Sequence, residues 1–385
     1  MNQQNWPMVP LGELISKSDE RVIVEVDQEY PNFGIYNCGR GLFEKPPISG
    51  STSSASSLYR ARANQFVYSR LFAFEGAYGL VPVEFDGHFV SNEFPLFECN
   101  EERLHYRFLA WFFRRSTTWT EVAQFTTGMG SRRQRIKPEA LYNYAIPLPS
   151  IDEQIAISER IESIHQKLQQ IYAAHHEVDS LSLGLLRSRM SEVTADSEYF
   201  PLVNVAPIVR RRVLPKPGET FAELGIRSFG KGTFHKPSLD FMSVGSKKLY
   251  RIEAGDLVFS NVFAWEGAIA VAKAKDHGRV GSHRFITCVP KEGLATPQFL
   301  CFYLLTPEGM ASISDASPGG AGRNRTLGLK KLEKIKVPIP EMAEQQRFGT
   351  LLKRIRSAHR ERTKAKANLD AMMPSILDRA FKGEL

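Results

Sequence analysis

The chain is one unit written twice. The segment Phe66-Val-Tyr-Ser-Arg-Leu-Phe-Ala-Phe-Glu-Gly-Ala77 returns as Leu257-Val-Phe-Ser-Asn-Val-Phe-Ala-Trp-Glu-Gly-Ala268, with seven of twelve pairs identical. Four further pairs exchange one apolar or aromatic side chain for another, and only Arg70 against Asn261 changes character. The offset is 191 residues. The same offset relates Pro10-Leu11 to Pro201-Leu202, and Ile35, Gly39, Gly41, Phe43 and Pro46 to Ile226, Gly230, Gly232, Phe234 and Pro237. It relates Ser91 and Phe94 to Ser282 and Phe285, and Phe108-Leu109 to Phe299-Leu300. It also relates Ile146-Pro-Leu-Pro149 to Val337-Pro-Ile-Pro340, and Glu153-Gln154 to Glu344-Gln345. The length of 385 residues is little more than twice the offset, so the fold must be one that a single unit adopts twice.

Each copy has the same internal order. Short β-branched and aromatic runs, such as Arg21 to Val26, Gln65 to Phe72 and Gly79 to Phe85, are separated by turn residues, as strands are. A helix is expected near Glu101 to Phe113, and again near Thr296 to Leu305. A Gly-rich basic stretch follows, and then a Pro-x-Pro element leads into a long helix. In the first copy that helix carries Ile157, Ile161, Ile164, Leu168, Ile171, His175, Val178, Ser182 and Leu185 at alternating steps of four and three, the period of a coiled-coil seam. Ser150 with Glu153 forms a capping box at its start. The second stripe is Phe348, Leu352, Ile355, His359, Arg362, Lys366, Leu369, Met373 and Ile376, apolar at both ends and polar between. The expected fold class is α+β: two similar mixed α/β domains (1–149 and 192–340) separated by two long antiparallel coiled-coil helices (150–191 and 341–385), a pseudo-twofold internal repeat.

Composition excludes several classes. With 42% hydrophobic and 24% charged residues the chain is globular rather than disordered. No apolar run approaches the roughly 18 residues of a membrane helix, and Met1 to Trp6 lacks a signal-peptide pattern. The four cysteines, Cys38, Cys99, Cys288 and Cys301, form no C-x-x-C, which fits a reducing cytoplasm. Catalytic motifs are missing. There is no phosphate loop, no G-x-G-x-x-G after a strand, no G-x-S-x-G, no H-E-x-x-H and no Asn/Asp-Pro-Pro-aromatic tetrapeptide. No metal-ligand set accompanies His175-His176. The repeated Glu75-Gly76 and Glu266-Gly267 read as turns in which Gly takes a positive φ.

The net charge of +8 is uneven: residues 1–190 carry −3 and residues 191–385 carry +11. Two Gly-then-Arg stretches recur at the same offset. Thr126 to Lys137 contains Arg132, Arg133, Arg135 and Lys137, and Ser317 to Thr326 contains Arg323, Asn324 and Arg325. Glycines let the backbone approach a phosphate, and neighbouring arginines complete an anion site. Arg210, Arg211 and Arg212, with Lys247 and Lys248, are further DNA-binding candidates. Ser49 to Ser57 reads as a flexible loop. Arg70 against Asn261, and Asn92-Glu93 against His283-Arg284, are the differences that would give each copy its own specificity, Arg suiting guanine and Asn adenine.

The two Pro-x-Pro…Glu-Gln elements, each leading into a long helix, and the closing Ile376-Leu-Asp-Arg-Ala-Phe-Lys-Gly-Glu-Leu385 closely resemble the specificity subunit of type I restriction–modification systems. The opening Trp6 to Leu14 resembles that family's domain start, so the likeness covers essentially the whole chain. The resemblance implies two target-recognition domains, each reading one half of a bipartite double-stranded DNA site. It implies long helices that act as a ruler and dock two methyltransferase subunits, with translocase–nuclease subunits joining for cleavage. S-adenosylmethionine, ATP and Mg would belong to those partners; this chain itself is expected to be non-catalytic. The polar middle of the second helix departs from a plain coiled-coil stripe. The alternative is a coiled-coil scaffold that joins proteins without binding DNA.

Overall fold

The computed structural model describes residues 6–125, 135–319 and 325–385. They form two compact units, one made of residues 1–174 and 363–385 and the other of residues 175–362. The division cuts both long helices, Ile151–Thr194 and Met342–Ala380, so each unit holds a mixed domain and one half of each helix.

In the first unit the strands Ile15–Lys17, Leu96–Cys99, Phe66–Tyr68 and Tyr78–Leu80 make an antiparallel four-stranded sheet in that order. Residues Phe66 to Tyr68 are all buried; Phe66 and Tyr68 share a core with Phe108, Leu109, Trp111 and Phe112 of the helix Tyr106–Phe112, while Val67, on the other face, packs with Phe33, Val81 and Val90. A second sheet of five strands contains Glu29–Ile35 paired with Leu42–Ser49. The serine-rich segment connects Leu42–Ser49 to Ser57–Arg60, folded back by Thr52 and Ser53 N–H bonds to the Ser49 carbonyl.

In the second unit Ile269–Val271, Leu257–Ser260 and Phe285–Cys288 form the equivalent antiparallel sheet, under the helix Pro297–Leu304. The duplication extends to individual backbone bonds. Leu11 N–H donates to Tyr144 O at 2.9 Å, and Leu202 N–H to Ile335 O at 2.8 Å. The turns also repeat. Gly76 has φ 81° and Gly267 has φ 77°, as the Glu-Gly pairs predict. Glu75 accepts from the Asn37 amide and Glu266 from Ser228 Oγ at 2.9 Å, which accounts for both carboxylates structurally. Cys38 and Phe229, at equivalent positions, both sit at φ 61°, held by N–H bonds to the Glu75 and Glu266 carbonyls.

The first long helix begins on a cap. Ser150 N–H donates to Glu153 Oε2 at 3.0 Å and Glu153 N–H to Ser150 Oγ at 3.4 Å, the reciprocal bonds of a capping box. Within each unit the helices run antiparallel. In the second, Asp179 meets Arg362 while Arg189 meets Glu344. In the first, Tyr172 donates to Asp370 at 2.7 Å while Ile161 shares a core with Leu377 and Phe381. The expected stripe holds at Ile161, Leu168, Phe348 and Leu352, all buried, but not along its whole length. Val178 and Leu185 are 42% and 52% exposed, whereas Leu186 and Met190 are buried. The reason is packing. Leu186 and Met190 join Leu300, Phe348 and Leu352 in the core of the second domain, so that core, not a helix partner alone, selects the buried face. The polar middle of the second helix has its own partners. His359 lies 3.0 Å from Asp179, Arg362 pairs with the same carboxylate, and both hold it below the usual carboxylate range.

Candidate nucleic-acid interface

Arg70 lies two residues past the buried strand Phe66–Tyr68, and its backbone is fixed on both sides. Its N–H donates to Glu93 O at 2.9 Å, and its carbonyl accepts from Ile136 N–H at 3.0 Å. This places the start of the Lys137–Tyr142 segment beside the Asn92–Phe94 turn. Between them lies a cleft of about 490 Å³ lined by Lys17, Tyr59, Arg70, Asn92, Phe94 and Lys137, among others. Arg135 borders this region and is paired with Glu93 at 3.2 Å. Of the Gly-rich stretch before it, Arg132 and Arg133 lie outside the described residues, as do Arg323 and Asn324 of the second copy.

The second unit repeats the backbone frame. Asn261 N–H donates to Arg284 O at 2.7 Å, and Leu327 N–H to Asn261 O at 2.8 Å. The side chains there are engaged differently. Asn261 Nδ2 donates to Leu327 O at 2.7 Å. Arg210 donates to Phe285 O at 2.8 Å and lies over the Tyr250 ring. Arg211 makes a bidentate contact with Asp256, at 2.7 and 3.1 Å, and reaches Glu253 at 3.1 Å. Arg325 donates to Ser314 Oγ at 3.2 Å and stands 5.5 Å from the Trp265 ring. Arg212, Lys247 and Lys248 are exposed, Lys247 touching only the Ser243 carbonyl at 3.5 Å. Within the second unit, Arg210, Arg211 and Arg325 are thus each engaged by other groups of the same unit. Lys17 and Tyr59 carry no motif; the signal for Tyr59 is that Tyr250 stands 191 residues on, whereas Lys17 has Ile208 at the equivalent position and no signal of its own.

Each unit also has a groove between its domain and its own helix segments. In the second it measures about 1040 Å³ and presents Lys231, Lys273, Lys353, Arg356 and Arg360. In the first it measures about 400 Å³ and is more aromatic, with Arg114 4.3 Å from the Trp111 ring centroid and His165 edge-on to the same ring. Burial lowers the pKa of both Arg114 and His165.

The fold and frame belong to a known class. Residues 196–369 match the family described as "Type I restriction modification DNA specificity domain". That span takes in the second mixed domain and most of the second long helix. The complete fold is similar to solved structures. A chain from a structure described as "Structural basis underlying complex assembly and conformational transition of the type I R-M system" is 19% identical, with 99% of each chain covered and a TM-score of 0.71. The HsdS subunit from Thermoanaerobacter tengcongensis is 19% identical over 99% of this chain and 98% of its own, with a TM-score of 0.60. The type I S subunit from M. genitalium is 13% identical over 99% and 97%, with a TM-score of 0.50. No curated protein sequence matches significantly.

Proposed function

We propose that the chain is the DNA-sequence specificity subunit of a type I restriction–modification complex, with each unit's domain reading one half of a bipartite site. The observation that carries this is the family match over residues 196–369, together with the same backbone frame 191 residues earlier. If the second copy is a specificity domain, a first copy with equivalent turns and strand pairing is a second one. Two different readers joined by long helices would fix the separation of two unlike half-sites, as dimeric readers fix that of two like ones. Phosphate contacts would supply affinity, and base edges specificity.

On this reading the domains are 1–149 and 192–340 and the spacers 150–191 and 341–385. The helices dock two methyltransferase subunits, and restriction subunits join them. The chain is a non-catalytic subunit working in the cytoplasm, and S-adenosylmethionine, ATP and Mg serve the partners. Among the described residues no helix is long and apolar enough to cross a membrane. The test is duplex binding by the full chain co-purified with its methyltransferase. Retention of one bipartite sequence over competitor DNA is expected, whereas a protein scaffold would bind its partner and leave every duplex free.

A further inference from the structure

The equivalent clefts of the two units are filled differently. In the second, the Arg210 guanidinium lies 4.8 Å from the Tyr250 ring centroid, and its Nη1 donates to Phe285 O at 2.8 Å and His283 O at 3.5 Å. Asn261 spends its amide on Leu327 O at 2.7 Å. The ring, the turn carbonyls and position 261 are thus all satisfied from within the chain.

The first unit keeps the backbone and lacks the plug. Ser18 N–H donates to Leu96 O at 2.9 Å, as Val209 N–H does to Thr287 O at 2.9 Å, so the strands are in the same register. The residue in the place of Arg210 is Asp19, which pairs with Lys17 at 3.9 Å. The cation that stands over the Tyr59 ring is Lys17, with Nζ 5.6 Å from the ring centroid. The cleft of about 490 Å³ stays open, lined by three cations, Lys17, Arg70 and Lys137, against one carboxylate, Glu139. Arg70 Nε is buried with no hydrogen-bond partner among the described residues. Facing cations repel each other, and an anion between them relieves that repulsion. These three cations can only donate, and a phosphate oxyanion, which only accepts and carries a full negative charge, both takes their bonds and relieves the repulsion between them.

We propose that this cleft is a DNA-phosphate subsite present in the first unit and closed in the second by Arg210. The proposal rests on the DNA-binding reading above. It also runs against the bulk charge, since the first half of the chain is the acidic one. Arg70 is then an anchor that sets the first domain on the backbone of its half-site, and not a reader of guanine.

The experiment uses the full chain in complex with its methyltransferase, a duplex carrying the recognised site and a random-sequence duplex of equal length. Arg70→Asn installs the second copy's residue. Affinity should fall about tenfold on both duplexes alike, and the slope of log affinity against log salt should drop by about one. Arg70→Lys keeps the charge and should stay within about threefold of the wild type. Lys137→Gln should repeat the Arg70→Asn result if the latter variant fails to fold, which its melting curve reports. Unchanged affinity and slope would overturn the proposal. So would a loss confined to the recognised duplex, the mark of a base reader, or a natively melting Arg70→Lys as weak as Arg70→Asn. A wild-type complex that binds neither duplex removes the DNA reading itself, a separate result from a failed Arg70 series.

Discussion

Gln154 Oε1 accepts the His105 backbone N–H at 2.8 Å, and its Nε2 donates to the carbonyls of Arg103 at 2.9 Å and Pro149 at 3.0 Å. Gln345 makes the same three bonds, to Thr296 N–H at 2.9 Å, Leu294 O at 3.0 Å and Pro340 O at 2.9 Å. Both side chains are fully buried. Each clasps the first turn of a long helix to the loop that opens the preceding domain helix, which couples the helix direction to the domain. Truncation leaves three buried or part-buried backbone groups without these bonds. Gln154→Ala and Gln345→Ala should each cost about 2–4 kcal/mol in urea unfolding. A cost under about 0.5 kcal/mol would show that the clasp is incidental.

The equivalent turn glycines should differ in tolerance. An alanine at either position meets the left-handed backbone cost of about 1–2 kcal/mol. At Gly76 the new Cβ would also lie 2.5 Å from the Trp119 ring, whereas at Gly267 its nearest neighbour is Leu305 at 3.3 Å. Gly76→Ala should therefore cost about 2–5 kcal/mol and Gly267→Ala about 1–2 kcal/mol, compared by thermal melting. Equal costs would show that Trp119 swings clear.

Asp276 should make part of the second unit's stability depend on pH. Its carboxylate is fully buried and accepts Lys273 N–H at 2.9 Å, Thr233 Oγ1 at 2.7 Å and a His235 ring nitrogen at 2.9 Å. Burial opposes ionisation, but these bonds prevail and hold the group below the usual carboxylate range. A depressed folded pKa means stabilisation that is complete above the unfolded value of about 3.9 and lost as pH falls through the folded value. Asp276→Asn should cost about 2–3 kcal/mol at pH 7. The gap between wild type and variant in urea midpoints should narrow as pH drops below about 4. A gap that is constant with pH would mean the bonds act without the charge.

Phe381 should anchor the end of the second long helix. It is 5% exposed and lies 5.0 and 5.2 Å from the ring centroids of Phe108 and Phe112. Phe381→Ala should cost about 3–5 kcal/mol through the cavity left. Hydrogen exchange should quicken first in the helix Tyr106–Phe112; unaltered exchange there would contradict the anchoring role.

The duplication, the Ser150–Glu153 cap, the Glu-Gly turns and both long helices were legible in the sequence because each depends on local chemistry or on a constant offset. The buried face of Leu186 and Met190 was not, since a heptad stripe records the helix period and not whether a domain core or a helix covers it. The engagement of Arg210 was hidden for a similar reason: its acceptor belongs to Phe285, 75 residues away. Glu153-Gln154 and Glu344-Gln345 stood out as a repeat, yet composition alone cannot say that a glutamine is buried. At the cleft, Arg70 and Lys137 stood out as residues, while the open space between them depends on Asp19 standing where the other copy has Arg210.

The most direct measurement of the central claim is the methylated motif of a chain in which residues 1–149 are exchanged for those of a relative with a known bipartite site. With the helices intact, one half of the motif should change to the donor's, while the other half and the spacer length stay as they were. A motif altered in both halves, or in neither, would contradict the account of two independent readers on one repeated scaffold.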